Sequence, residues 1–147
     1  MITKIQANKE NNHVRRIATY TPPMTTYIGL STADEFSDSG NVPANSEPSS
    51  EINYSRIAVT NDSTTWNESV DGEITNKIEL KFDELNGSAS GIVKWVFESE
   101  TIDGTDDVMY YAKLEPEITL AEYLTIKFNP NDIKFTRTNP TDTSNNS

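Results

Sequence analysis

In most of this chain's hydrophobic stretches, apolar and polar residues alternate with a period of two. That is the pattern of strands with two unlike faces. The clearest case is Lys77-Ile78-Glu79-Leu80-Lys81-Phe82-Asp83, where Ile78, Leu80 and Phe82 share one face and the charged residues share the other. Thr26, Ile28 and Leu30 alternate with Tyr27 and Gly29, and the run from Ile52 to Thr60 stops at Asn61-Asp62, a turn pair. Gly91 opens Ile92-Val93-Lys94-Trp95-Val96-Phe97. There Val93, Trp95 and Phe97 face one way and Ile92 and Val96 the other, so the strand is expected to be covered on both sides, with Trp95 anchoring the core. Val108, Tyr110, Ala112 and Leu114 line one side of a further strand. Leu124, Ile126 and Phe128 alternate with polar residues in another, and Ile133 and Phe135 close the series.

The spacers at 31–50, 62–71, 84–90, 99–107 and 116–122 are rich in turn and loop residues. Many short strands between such spacers predict an all-β fold, an antiparallel β-sandwich of jelly-roll type. A doubly wound sheet would need helical patterns between strands, and the only helical pattern is a short one at the start, where Ile2, Ile5 and Lys9 share a face. The expected organisation is an extended or short-helical arm over 1–20, the sandwich over 21–137, and a polar tail over 138–147 that frays in an isolated monomer. The stretch 31–50 is long for a connection inside a compact domain, and reads as a mobile excursion or a surface held by a partner.

Composition narrows the chemistry. In 147 residues there is no cysteine and one histidine, His13, beside Val14-Arg15-Arg16. That excludes a disulfide scaffold, a thiol nucleophile and a Cys/His zinc site. The net charge of −11 argues against a protein that neutralises nucleic-acid phosphate. The charge is uneven. Residues 1–20 carry four cations (Lys4, Lys9, Arg15, Arg16) against Glu10, a net of +3, while residues 21–126 carry 5 basic and 20 acidic residues, a net of −15. The start either lies over a solvated acidic surface or packs on an acidic neighbour, a second copy included. No run resembles a transmembrane helix or a signal peptide, so a soluble chain, not exported by that route and without a membrane partner, is expected.

Catalytic signatures are missing. There is no phosphate-binding glycine loop, dinucleotide fingerprint, nucleophile elbow or H-E-x-x-H, and no cofactor is implied. The acidic segment 98–107 offers Asp103, Asp106 and Asp107 as weak calcium candidates, without the spacing of an EF-hand. Trp66 lies in a polar stretch, either folded back as a lid over the sandwich edge or exposed as a contact residue. Lys77, Lys81 and Lys94 are candidates to guard strand edges. The interface candidates are Lys4, Lys9, Arg15, Arg16, Tyr27 and Trp66.

Three segments carry a resemblance. Tyr20-Thr21-Pro22-Pro23 precedes Tyr27-Ile28-Gly29-Leu30-Ser31-Thr32-Ala33-Asp34. Glu47-Pro48-Ser49 precedes Tyr54-Ser55-Arg56-Ile57-Ala58-Val59-Thr60-Asn61-Asp62 and Trp66. Tyr110-Tyr111-Ala112-Lys113-Leu114 precedes the stretch 118–128. In this order they resemble a family of small virion proteins of tailed bacteriophages, loosely labelled tail-fibre or structural proteins. The chain departs from the family pattern at Ser50-Glu51-Ile52-Asn53, at Asp83 and at Ser90-Gly91. The resemblance implies a non-enzymatic virion part that contacts the major capsid protein or tail and fibre subunits, with a homo-oligomer as a further option. An auxiliary or decoration protein, or a head-fibre base on the capsid surface, is the leading expectation. A tail or baseplate component is the alternative. A carbohydrate-binding module using Trp66, Tyr27 or Tyr111 is more distant.

Overall fold

The computed structural model describes residues 1–137; the tail expected over 138–147 lies outside the described residues. One helix, α1 (Lys4–Val14), precedes eight strands: β1 (Thr25–Ser31), β2 (Ile57–Thr60), β3 (Glu73–Thr75), β4 (Leu80–Lys81), β5 (Ile92–Ser99), β6 (Val108–Thr119), β7 (Lys127–Phe128) and β8 (Lys134–Thr136). A four-stranded antiparallel sheet runs in the order β2-β1-β5-β6, with two-stranded ribbons β3-β8 and β4-β7 beside it. The ribbons bring Leu80, Phe82, Phe128 and Phe135 onto the face of the sheet formed by Ile28, Leu30, Val96 and Tyr110. Each such fully buried side chain contributes about 1.5–3 kcal/mol. The architecture is the expected antiparallel sandwich; the pairing carries the expectation no further toward a jelly roll.

β5 is covered on both sides, as its double apolar pattern predicts, but its phase is broken. The pairing register shifts between Val93 and Trp95, and Val93 joins Val96 in the main core while Trp95 and Phe97 face the opposite way. A second shift, between Glu98 and Ser99, leaves Met109 as an extra residue on β6, so Val108 parts from Tyr110 and joins Tyr111. An inserted residue reverses the facing of everything beyond it, which a strict period of two cannot register.

Other strands are shorter than their patterns. Only Leu80–Lys81 pairs within the run 77–83, and Ile78 is half exposed. The run from Ile52 starts as a turn of 3-10 helix at Ser50–Ile52, capped by the Ser49 hydroxyl, which accepts from the Glu51 N–H. Lys94 guards no edge, because β5 is interior; it pairs with Asp34 instead.

The stretch 31–50 is not a free excursion. It lies over the second face of the sheet, where Phe36 and Val42 pack with Trp95, Phe97, Val108 and Tyr111. Phe36 stacks on Tyr111 with ring centres 4.9 Å apart. Gly29 is required beneath this cluster, since a Cβ there would stand 2.4 Å from the Phe97 ring.

The N-terminal segment also folds onto its own chain. Ile2 bridges to Tyr110, the Thr3 N–H donates to the Met109 carbonyl and the Tyr111 N–H donates to that of Met1, so residues 1–3 line the outer edge of β6. Thr3 is the N-cap of α1: its hydroxyl accepts from the Gln6 N–H and donates to the Val108 carbonyl at 2.6 Å. Gln6 is the one buried residue of the helix, so α1 is held by capping and polar contacts more than by the Ile2–Ile5–Lys9 face expected of it.

Candidate functional site

Two polar constellations are built into this frame. The first fastens the long loop. Arg56, buried at the approach to β2, donates from Nε to Glu47 Oε2 at 3.1 Å and from Nη2 to Glu47 Oε1 at 2.5 Å. Its remaining donors reach the carbonyls of Thr101 (2.8 Å) and Gly104 (2.7 Å), and its guanidinium lies 5.0 Å from the centre of the Phe97 ring. The Tyr54 hydroxyl donates to Glu47 Oε2 at 2.8 Å and accepts the Leu30 N–H at 2.9 Å. Burial, first, and the Glu47 charge raise the Tyr54 pKa, keeping its proton in place for that bond. A planar fork of donors suits this task, since one arginine satisfies a carboxylate and two loop carbonyls together.

The second is a cleft of about 360 Å³ where α1 and the segment after it meet the end of β5, bordered by Gln6, Glu10, Tyr20, Trp66, Glu98 and Tyr110 among others. Glu98 is buried and accepts from the Thr26 hydroxyl at 2.6 Å. Desolvation pushes its carboxyl up to about 7, with the Glu100 charge adding to the rise and the Thr26 bond opposing it. Glu10 is engaged by Arg137 (2.7 Å) and by the Tyr110 hydroxyl (3.3 Å). Tyr20 donates to Glu100 at 3.3 Å and accepts from the Gln6 amide at 3.2 Å. The carboxylates at this end therefore fasten helix to sheet.

The interface candidates have separate fates. Lys4 pairs with Asp38 at 3.7 Å, and Lys9 with Glu100 at 3.2 Å and Asp107 at 3.8 Å, all within the chain. Arg15 and Arg16 are exposed and Tyr27 is half buried. Trp66 is buried, with its ring centre 6.1 Å from that of Phe135, as the lid alternative expects. Tyr111 is buried as well, so no exposed aromatic platform for a sugar forms from Trp66, Tyr27 and Tyr111. The calcium candidates Asp103, Asp106 and Asp107 do not converge. Among the described residues no group of three or more His, Cys, Asp or Glu is placed to hold a metal ion, and Arg56 takes the carbonyls of Thr101 and Gly104 in that loop. No described helix is long and apolar enough to cross a membrane.

Sequence reasoning passed over Arg56, Glu47 and Glu98. A signal was present for Arg56 and Glu98, though not for the partner of Arg56. Arg56 stands inside an apolar strand phrase and Glu98 ends the most apolar strand, and a charge in such a place implies a partner or a retained proton.

Fold and site define an all-β protein whose buried polar side chains chiefly fasten its own loops and helix. Residues 1–136 match the family described as Podophage GP4 fiber I protein gp80, and the chain belongs to that family. It is a phage structural protein, a component of the virion that contacts other virion proteins. No curated protein matches the chain.

Proposed function

We propose that the chain is a non-enzymatic subunit at the particle surface, an auxiliary protein or fibre base seated on the head and acting through protein–protein contacts with capsid and fibre subunits. The observation that carries this reading is the match to a fibre family over residues 1–136. The structure supports it in one respect: the loop and the N-terminal helix are folded onto the sandwich, which leaves a preformed body for neighbours to grip. The family description also fits a fibre on the tail. Copy number in purified particles separates the two. A count on the order of hundreds places the protein on the head, and a small multiple of about three or six places it on the tail. Absence from purified particles overturns both.

A further inference from the structure

The turn that follows α1 is ordered yet turns its apolar side chains outward. The N–H groups of Arg15, Arg16, Ile17 and Ala18 bond to the carbonyls of Asn11, His13, Asn12 and Asn12, and the Tyr20 N–H donates to His13 Nδ1 at 3.1 Å. Arg16 is held in the left-handed region at φ 61. Around this hook Val14, Ile17 and Met24 are 75%, 72% and 85% exposed. A fixed turn that presents Val14 and Ile17 to water, with Met24 exposed further along before β1, is a surface shaped for a partner.

Charge indicates which partner. Of the four arginines, Arg56 and Arg137 are ion-paired within the chain, whereas Arg15 and Arg16 form no ion pair among the described residues. The other two cations of the N-terminal segment, Lys4 and Lys9, already rest on acids of the chain's own body. The same body has a matching face at its far end. There the Leu85 N–H donates to the Leu124 carbonyl and the Tyr123 N–H to that of Leu85, which brings the exposed pair Asp83–Glu84 alongside the exposed pair Glu122–Tyr123. Tyr123 is 70% exposed. This face adjoins the start of β5, since the Leu120 N–H bonds to the Gly91 carbonyl, whereas the hook adjoins its end at Glu98. An eight-residue strand spans roughly 26 Å, so the two surfaces cannot meet within one molecule.

We infer that the hook docks on the Asp83–Glu84–Glu122–Tyr123 face of a second copy, with the two arginines on the carboxylates and Tyr123 against Val14, Ile17 and Met24. The contact is heterologous, head to tail, so it generates a ring or an open stack. It deepens the proposed fibre role by naming one partner, and rests on that reading only for its biological use.

The absence of cysteine gives a clean test on the full chain. Ile17→Cys and Tyr123→Cys proteins, mixed under mild oxidation, are expected to yield the mixed 17–123 dimer well above either like-with-like dimer. In sedimentation at low salt the wild type is expected to associate with rising concentration, and high salt to weaken the association. The doubles Arg15→Glu/Arg16→Glu and Asp83→Lys/Glu84→Lys should each weaken it at least tenfold alone and regain it when mixed. Circular dichroism confirms that both retain the fold. A wild type that stays monomeric, a dominant 17–17 or 123–123 dimer, or charge-reversed proteins that fail to recover on mixing overturns the inference. None of these outcomes touches the particle count, so failure here is distinct from failure of the virion reading.

Discussion

The two faces of the four-stranded sheet are covered in opposite ways. One is sealed by ribbons whose strands alternate, and the buried acid at its margin, Glu98, meets the Thr26 hydroxyl rather than a cation, with burial pushing its carboxyl up to about 7. The other is sealed by a loop without regular structure, and its acid, Glu47, is gripped by Arg56. Regular cover secures itself through its own ladder and apolar face. Irregular cover needs a fastening, here one arginine that reaches two separate segments.

The largest test breaks that fastening. Arg56→Ala leaves Glu47 with the Tyr54 hydroxyl but no cation and strips two loop carbonyls of their donor, and should cost about 3–5 kcal/mol in urea unfolding. Limited proteolysis should then cut first within 31–50. Phe135→Ala, on the ribbon side, should cost a similar amount through its cavity yet leave that loop no more sensitive than the rest. Equal loop cleavage in both variants would show that the faces are not independently fastened.

Glu98 sharpens the contrast between the acids. Its pKa in the folded state, about 7, lies above the ordinary 4.5, so between these values the folded protein holds a proton that the unfolded chain has lost. Stability therefore falls as pH rises through that window, by roughly 3 kcal/mol at most, and stays low above it. Glu10, His13, Tyr20 and Tyr110 border its cleft and Glu100 adds its charge, while the cations Lys9 and Arg137 are engaged by Glu100 and Glu10. Glu98→Gln should flatten this part of the profile, read as melting temperature against pH, and leave the protein more stable than wild type above neutrality.

Gly29→Ala presses a methyl into the Phe97 ring under the loop and should destabilise by about 1–3 kcal/mol without a change in pH dependence. The smallest effect is expected from Thr3→Ala, about 1 kcal/mol for the lost cap. Its signature is faster amide exchange at Gln6, measured by NMR, with the Phe36 cluster unaffected.

What could be read from the sequence divides along the same line. Ile28, Leu30, Leu80, Phe82, Phe128 and Phe135 reveal themselves through local alternation, and all are core residues of the ribbon-covered face. Phe36 and Val42 lie alone among Ser, Asp and Asn, so no period betrays that their loop closes the other face. Trp66 was open between lid and contact because its burial depends on Phe135, far along the chain. The clamp was hidden similarly: Glu47 and Arg56 are nine positions apart with no shared periodicity, and the carbonyls that complete it come from a distant hairpin loop.

The strip formed by residues 1–3 along β6 has a consequence for solubility. A bare sheet edge recruits strands from any chain with matching hydrogen-bond spacing, and subunits accumulating before assembly would be prone to aggregate through it. By occupying the Met109–Tyr111 part of that edge with its own backbone, the protein shortens the stretch of β6 open to cross-β growth.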